Sequence, residues 1–315
     1  MATSSSTNFN QTRDNIITDA LSLLGILRKG GTAGSDEISF ASNILNKMIK
    51  AWQASGVNLW SEDEGVLFLT NDKNTYTLSA TGDKASNENI KTELSAAGGA
   101  SATTITVDSV TDMATSDNIG VELDDNTIHW TTISAINTTT KVITLAAGLA
   151  SAAAVDNNVY VYTTILNRPR DILQVRYKYD DGKERELRSL GRNEYFALPD
   201  KDTNAPPTAY YFSPQLNSGK LYLWPTPDDV SDRILFTYIR TLEDFDAAGD
   251  NPDLPQEWLE TLTYNLAVRL APSYQINLAR AYPDLILLAT TSFQTLQLAD
   301  SESSSVFMIP NYDLT

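Results

Sequence analysis

Apolar residues recur at helical spacing at both ends of the chain and at strand-like spacing between them. Over residues 12–27, Ile16, Ile17, Ala20, Leu24 and Leu27 fall on one face, with Thr12 placed as the N-cap. Gly30-Gly31-Thr32-Ala33-Gly34 reads as a turn. Ser35 is then expected to cap a second helix, with Asp36 and Glu37 in its first turn and Gly56 at its end. Its stripe is Ile38, Ala41, Leu45, Met48, Ile49 and Trp52, so the opening predicts an αα-hairpin. Residues 254–274 predict a third helix. Pro255 sits in its first turn, Trp258, Leu259, Leu262, Leu266, Ala267 and Leu270 share one face, and Pro272 stops it. A fourth is predicted over 283–299, with Leu285, Leu288, Ala289, Ser292, Phe293 and Leu296 along one side.

The middle of the chain changes period. Residues 65–69 and 75–79 read as short strands joined by Asn-Asp-Lys-Asn, a hairpin signal. A polar passage, 81–102, carries few large apolar residues. Strands are then predicted at 103–107, 119–123, 127–136, 141–145 and 158–163, with turns at Asp124-Asp125-Asn126 and at 137–140. Beyond Asn167, residues 172–179 and 184–190 form a hairpin across Asp180-Asp181-Gly182. A Pro-rich loop, 198–208, precedes strands at 209–212, 220–224 and 233–240. The fold class expected is α+β. Terminal helices form a bundle around an antiparallel β region that carries a small inserted β-barrel or sandwich. The expected division is 1–82, the helical hairpin and start of the β region; 83–165, the inserted module; 166–240, the antiparallel region; 241–300, the closing helices; and 301–315, an extended tail.

Composition narrows the function. A chain of 315 residues can bury a sizeable core. No apolar run approaches the ~18 residues of a membrane span, and the first residues lack the pattern of a secretory signal. With no cysteine and one histidine, His129, disulfides, thiolate metal sites, a cysteine nucleophile and multi-histidine zinc sites are excluded. No cofactor is expected. The net charge of −17 argues against tight nucleic-acid binding by the whole surface, yet suits a wall along which DNA slides; it equally keeps a chain soluble.

Candidate chemistry is sparse. There is no Gly-x-Ser-x-Gly elbow and no Gly-x-x-x-x-Gly-Lys-Ser/Thr phosphate loop. Glu62-Asp63-Glu64 is the most enzyme-like feature, since paired carboxylates cleave glycosides. Neighbours in a strand point different ways, so the spacing alone does not pair them. Asp124-Asp125-Asn126 lacks the alternating ligands of a calcium loop and reads as a turn.

Charge clusters and the chain end point to partners instead. Residues 168–192 hold eight basic residues against five acids. Among them Arg176, Lys178, Lys183, Arg185, Arg188 and Arg192 are candidates for a contact with a neighbouring copy or DNA, or for the polar face of a hairpin. Residues 243–260 hold seven acids and no base, so one copy's basic hairpin could dock on the next copy's acidic loop. Val306, Phe307, Met308, Ile309, Tyr312 and Leu314 are six large apolar residues with no pattern long enough to fold alone. They are expected to anchor on another protein.

Two motifs carry a resemblance. Ile17-x-x-Ala20-Leu21-x-x-Leu24-Gly25 with Ala41-x-x-Ile44-Leu45-Asn46-x-Met48-Ile49-x-x-Trp52 resembles the opening helix pair of the head-to-tail adaptors of short-tailed double-stranded DNA phages. Leu262-Thr-Tyr264-Asn265-Leu266-Ala267-x-Arg269-Leu270-Ala271-Pro272-x-Tyr274 is similar to their third helix. The likeness covers about a third of the chain, and the module at 83–165 departs from the shorter members. It implies a structural virion protein in the neck between capsid and tail, assembled in the host cytoplasm as a ring of twelve beneath the portal. Such a ring extends the DNA channel, touches genomic DNA transiently, and offers a platform to the tail nozzle or other tail proteins. The C-terminal extension would reach along the portal, and no membrane contact is implied. Two other readings stay open: a virion-associated cell-wall glycan hydrolase using Glu62 with Glu64 or another carboxylate, and a receptor-binding or fibre component using the β module.

Overall fold

A computed structural model describes residues 6–28, 30–56 and 61–299. In chain order come helices α1 (Arg13–Leu23) and α2 (Ser35–Ala54), then strands β1 (Glu62–Phe68), β2 (Thr75–Leu78), β3 (Ala85–Ser86), β4 (Ile90–Glu93) and β5 (Thr104–Thr106). Strands β6 (Asn118–Leu123), β7 (Thr127–Asn137), β8 (Val142–Leu145) and β9 (Asn158–Tyr162) follow. Next are β10 (Asp171–Lys178), β11 (Glu184–Glu186), β12 (Arg188–Ser189) and the short helix α3 (Arg192–Phe196). Strands β13 (Ala209–Pro214), β14 (Gly219–Trp224) and β15 (Arg233–Ile239) precede helices α4 (Trp258–Leu270), α5 (Leu278–Ala281) and α6 (Pro283–Ala299). The protein is mixed α and β, mostly sheet with a few helices. It divides into two compact units, one of Met1–Ser61 with Leu242–Thr315, the other of Glu62–Thr241.

In the helical unit, α1 starts at Thr12, whose extended backbone (ψ 163°) makes it the N-cap residue without a side-chain cap bond. The helix ends before the predicted Leu27 because Gly25 turns left-handed at φ 71°. Leu24 is still buried, and Ile26 and Leu27 rest on the core from the turn. The α2 cap is Gly34 rather than Ser35: the Glu37 carboxylate accepts the Gly34 N–H at 2.9 Å. Helix α4 begins after a turn in which Trp258 N–H donates to Pro255 O at 3.0 Å. It runs into a 3-10 turn, Ala271–Tyr274, that contains Pro272.

Residues from both chain ends share one core. Ile16, Ile17 and Leu21 of α1, Leu45 and Met48 of α2, and Leu262 and Leu266 of α4 have no exposed surface. Each such side chain contributes about 1.5–3 kcal/mol by leaving water. Trp52, Trp258 and Phe293 tie α2, α4 and α6 together, with ring centroids 4.9–6.2 Å apart. The acid-rich segment before α4 is held to the same helices. Asn46 exchanges two hydrogen bonds with the Phe245 backbone, and Lys50 reaches Leu242 O at 2.5 Å and Asp244 at 2.8 Å. Asp250 and Asp253 accept backbone N–H groups of residues 243–247.

The β unit holds three sheets, ordered β11-β10-β15-β1-β3, β12-β13-β14-β2 and β4-β9-β6-β7-β8-β5. The hairpin expected of β1 and β2 does not form. Both edges of β1 are taken, by β15 and β3, while β2 pairs with β14. Leu67 of β1 and Tyr76 and Leu78 of β2 meet across one core with Val175, Leu221 and Phe236. The two strands therefore face each other between sheets instead of bonding edge to edge. The polar passage at 81–102 also contains strand, β3 and β4, which are too short and polar to show a period. Ser86 is buried there because its hydroxyl donates to Thr164 O at 2.8 Å.

The six-stranded sheet curls into a half-barrel. Long β7 pairs with β6 through its first half and with β8 through its second, and a register shift between Ile133 and Ala135 lets it turn. The edge strands β4 and β5 are brought together at Leu94 and Val107, where Ser95 N–H donates to Thr106 O and Asp108 N–H to Glu93 O, both at 3.0 Å. Ile119, Val121, Ile143, Val159 and Val161 fill its interior.

Candidate functional site

The basic cluster falls on β10, the β10–β11 turn, β11, β12 and α3, and each member has an intramolecular partner. Arg176 pairs with Glu64 at 2.7 Å and Glu184 at 3.2 Å, and Lys178 pairs with Glu184 at 3.2 Å. Lys183 bonds Asp181 at 2.5 Å across the β10–β11 turn, raising the lysine and lowering the carboxyl from their ordinary values. Arg185 donates to Pro207 O at 2.6 Å and lies over the rings of Tyr177 and Tyr179. Arg188 approaches Glu194 only to 3.7 Å with 74% of its side chain exposed, and Arg192 lies over Phe196. Most of this charge is spent within the hairpin, and Arg188 keeps a largely exposed side chain.

Behind that hairpin lies a hydrogen-bonded acidic network. Asp232 accepts the Tyr177 hydroxyl at 2.5 Å and the Asp180 N–H at 2.8 Å. Asp180 accepts Lys91 at 2.6 Å and Asn158 at 3.0 Å, and Glu122 accepts the Asn158 side chain at 2.8 Å. Burial raises the Asp232 and Glu122 carboxyls above their ordinary values against the hydrogen bonds that lower them, and burial also pushes the Tyr177 hydroxyl up. The network joins β4, β6 and β9 of the curled sheet to β10 and β15. Its carboxylates are held by these donors, while the buried Asn158 Oδ1 has no hydrogen-bond partner among the described residues.

Glu62 and Glu64 lie two residues apart on one face of β1, both exposed, with Asp63 on the other face. Glu64 is engaged by Arg176, and Asp63 receives Asn87 at 3.2 Å. His129 lies on β7 opposite Val121 of β6. Asp124 accepts Ala154 N–H at 2.8 Å and Asn157 at 3.0 Å, and Asn126 donates to Asp228 O at 2.8 Å, as turn residues do. Among the described residues no group of three His, Cys, Asp or Glu could hold a metal ion. The tail residues Val306, Phe307, Met308, Ile309, Tyr312 and Leu314 lie outside the described residues.

Two surfaces of the helical unit went unnoticed in the sequence. Helix α6 buries Leu285 and Ala289, but Ile286, Leu287 and Leu288 are 39%, 65% and 48% exposed, so Leu288 does not lie on the buried side as expected. The signal was present: Asp284 is the only ionisable residue in this helix, and a helix apolar on most sides needs cover on most sides. On α1 and α4, Phe9, Thr18, Leu23, Leu259, Thr263 and Tyr264 line a largely apolar cleft of about 760 Å³. Asp19 and Glu260 stand in its wall.

Comparison with known proteins gives a family. No curated protein matches. The solved VP16-VP17 complex, a complex of the two major capsid proteins of bacteriophage P23-77, is 12% identical over 61% of this chain and 75% of that chain, at a TM-score of 0.14. VP17, a capsid protein of bacteriophage P23-77, is 11% identical over 61% and 73%, at a TM-score of 0.12. At such scores the likeness carries no argument about fold or role. The sequence profile of the SU10 adaptor protein matches residues 116–306, more than half of the chain. That span includes α4 and α6 but not the opening helix pair. This chain therefore belongs to the SU10 adaptor protein family, a family of phage adaptors.

Proposed function

We propose that this protein is a head-to-tail adaptor of a short-tailed phage, a ring of twelve copies in the virion neck beneath the portal. The family match over residues 116–306 carries this reading. In it the helices coded at 12–56 and 254–299 act as one bundle at the ring, and residues 83–165 act as an inserted β-barrel facing neighbours or tail proteins. The ring extends the DNA channel used in genome ejection, and the net charge of −17 suits a wall that does not grip DNA. The apolar residues Val306, Phe307, Met308, Ile309, Tyr312 and Leu314 anchor the chain end on the portal. Arg188 and Arg192, whose side chains extend from the paired part of the basic hairpin, meet a neighbouring copy or passing DNA. Assembly takes place in the host cytoplasm and no membrane is involved.

The test is genetic. Phage lacking this chain are expected to accumulate DNA-filled heads without tails, and purified protein to restore infectivity to such heads in vitro. Normal tailed particles without the chain would contradict the adaptor role.

A further inference from the structure

Helix α6 lies antiparallel to α4. The Asn265 side chain of α4 donates to Ala289 O at 3.0 Å, and one turn further along α6 the Phe293 ring stands 6.2 Å from that of Trp258, the first residue of α4. At 1.5 Å per residue, Ala299 is carried about 9 Å past Phe293 and so past the start of α4. The cleft between α1 and α4 is built on that same end of α4: Leu259, Glu260, Thr263 and Tyr264 come from its first two turns. Phe9 and Leu23 also line it, and they are 69% and 38% exposed. Its volume of about 760 Å³ is in the range of sites that enclose a drug-sized ligand. The charged groups of its lining are Asp19 and Glu260, and both already accept a hydrogen bond at 2.8 Å, from Gln11 and from the Tyr264 hydroxyl. With no base among them, the lining favours an apolar occupant over an anionic one.

The sequence that continues from α6 supplies such an occupant. Residues 300–305 are Asp-Ser-Glu-Ser-Ser-Ser, and Val306-Phe307-Met308-Ile309 follow. Phe307 is eight residues beyond Ala299, a connection that spans up to about 26–29 Å when extended. A helix with its side chains is about 10–12 Å across, so this length passes around the start of α4 from the α6 side to the α1 side. The acids Asp300 and Glu302 fall in the polar connection. The four apolar residues therefore bring no charge against Asp19 and Glu260.

We propose that, while no portal is present, residues 306–309 fill the α1–α4 cleft of their own subunit. This rests on the reading that the same residues anchor on the portal, and it names what covers them beforehand. A connection this short gives the segment an effective concentration of about millimolar at its own cleft, above that of a second copy in a micromolar solution. The free subunit thereby hides both its apolar anchor and its apolar cleft from water. The portal then takes the segment only by binding it more tightly than the cleft does.

The absence of cysteine makes the test clean. In the full-length chain, Ser22→Cys in the cleft and Ser305→Cys beside the apolar residues are introduced together and singly, then oxidised without portal. Neither change removes an apolar side chain, and the melting temperature checks folding. The proposal expects an intramolecular disulfide in the double variant, formed at a rate independent of protein concentration. Adding Leu23→Glu is expected to slow it by about tenfold or more, because a charge then stands where the apolar segment seats. The oxidised form is expected to lose portal binding, and reduction to restore it. An unchanged rate with Leu23→Glu would reveal random encounter and overturn the proposal. Dimers whose yield grows with concentration would place the segment in another copy, and no disulfide at all would place it elsewhere; both overturn the proposal, while the portal reading stands if binding still needs residues 301–315. A locked chain that binds portal as well as the reduced one would support the seat in the cleft and overturn the portal reading.

Discussion

Trp130 lies so close to Gly120 that an added Cβ would stand 2.7 Å from its ring. Gly120→Ala must therefore push the indole out of the cluster it forms with Phe68 and Tyr162. A loss of about 1–3 kcal/mol is expected in denaturant unfolding, the usual cost of overpacking. Glu122 gives a pH-dependent counterpart. Its carboxyl is raised above 4.5 by burial, with Asp180 and Asp229 adding to the rise, so the folded protein holds this proton more tightly than the unfolded chain does. The stability it contributes is therefore fully present below the unfolded value and is lost as pH rises through the folded one. Glu122→Gln keeps an acceptor for Asn158 and should flatten that slope above pH 4.5. An unchanged slope in urea titrations across that range would show that burial does not raise this carboxyl.

At the scale of elements, α6 separates core from exposed surface on one helix. Phe293→Ala removes the ring between Trp52 and Trp258 and is expected to cost about 3–5 kcal/mol, whereas Leu287→Glu should leave stability within about 0.5 kcal/mol. Equal losses in thermal unfolding would mean that both faces are buried in the monomer. The same helix shows what a sequence can reveal. The stripes of α1, α2 and α4 were legible because one face of each is polar, so the period marks the buried side. In α6 Leu287 and Leu288 break that contrast, and the buried side was drawn through Leu288. Strand partners were less legible still. The β-type residues at 65–69 and 75–79 mark two strands, but only the core shared by Leu67, Tyr76 and Phe236 decides that they face each other from separate sheets. Strands β3 and β4, four residues or fewer, carry no period at all.

At the scale of the whole molecule, sequence showed that the two chain ends hold helices and that the middle is strand. It also showed that few catalytic groups are available. The adaptor resemblance rested partly on the opening helix pair, while the family match covers residues 116–306 and so rests on the β region and the closing helices. The α1–α4 cleft was not legible, because it needs residues from separate elements to be seen at once. The adaptor account is tested most directly by the mass of the complex formed with portal, for the full chain and for a chain ending at Asp300. A ring of copies on the portal that is lost or much weakened by the truncation is the predicted result. Full-length chain that adds no mass to portal, or a truncated chain that binds equally well, would contradict it.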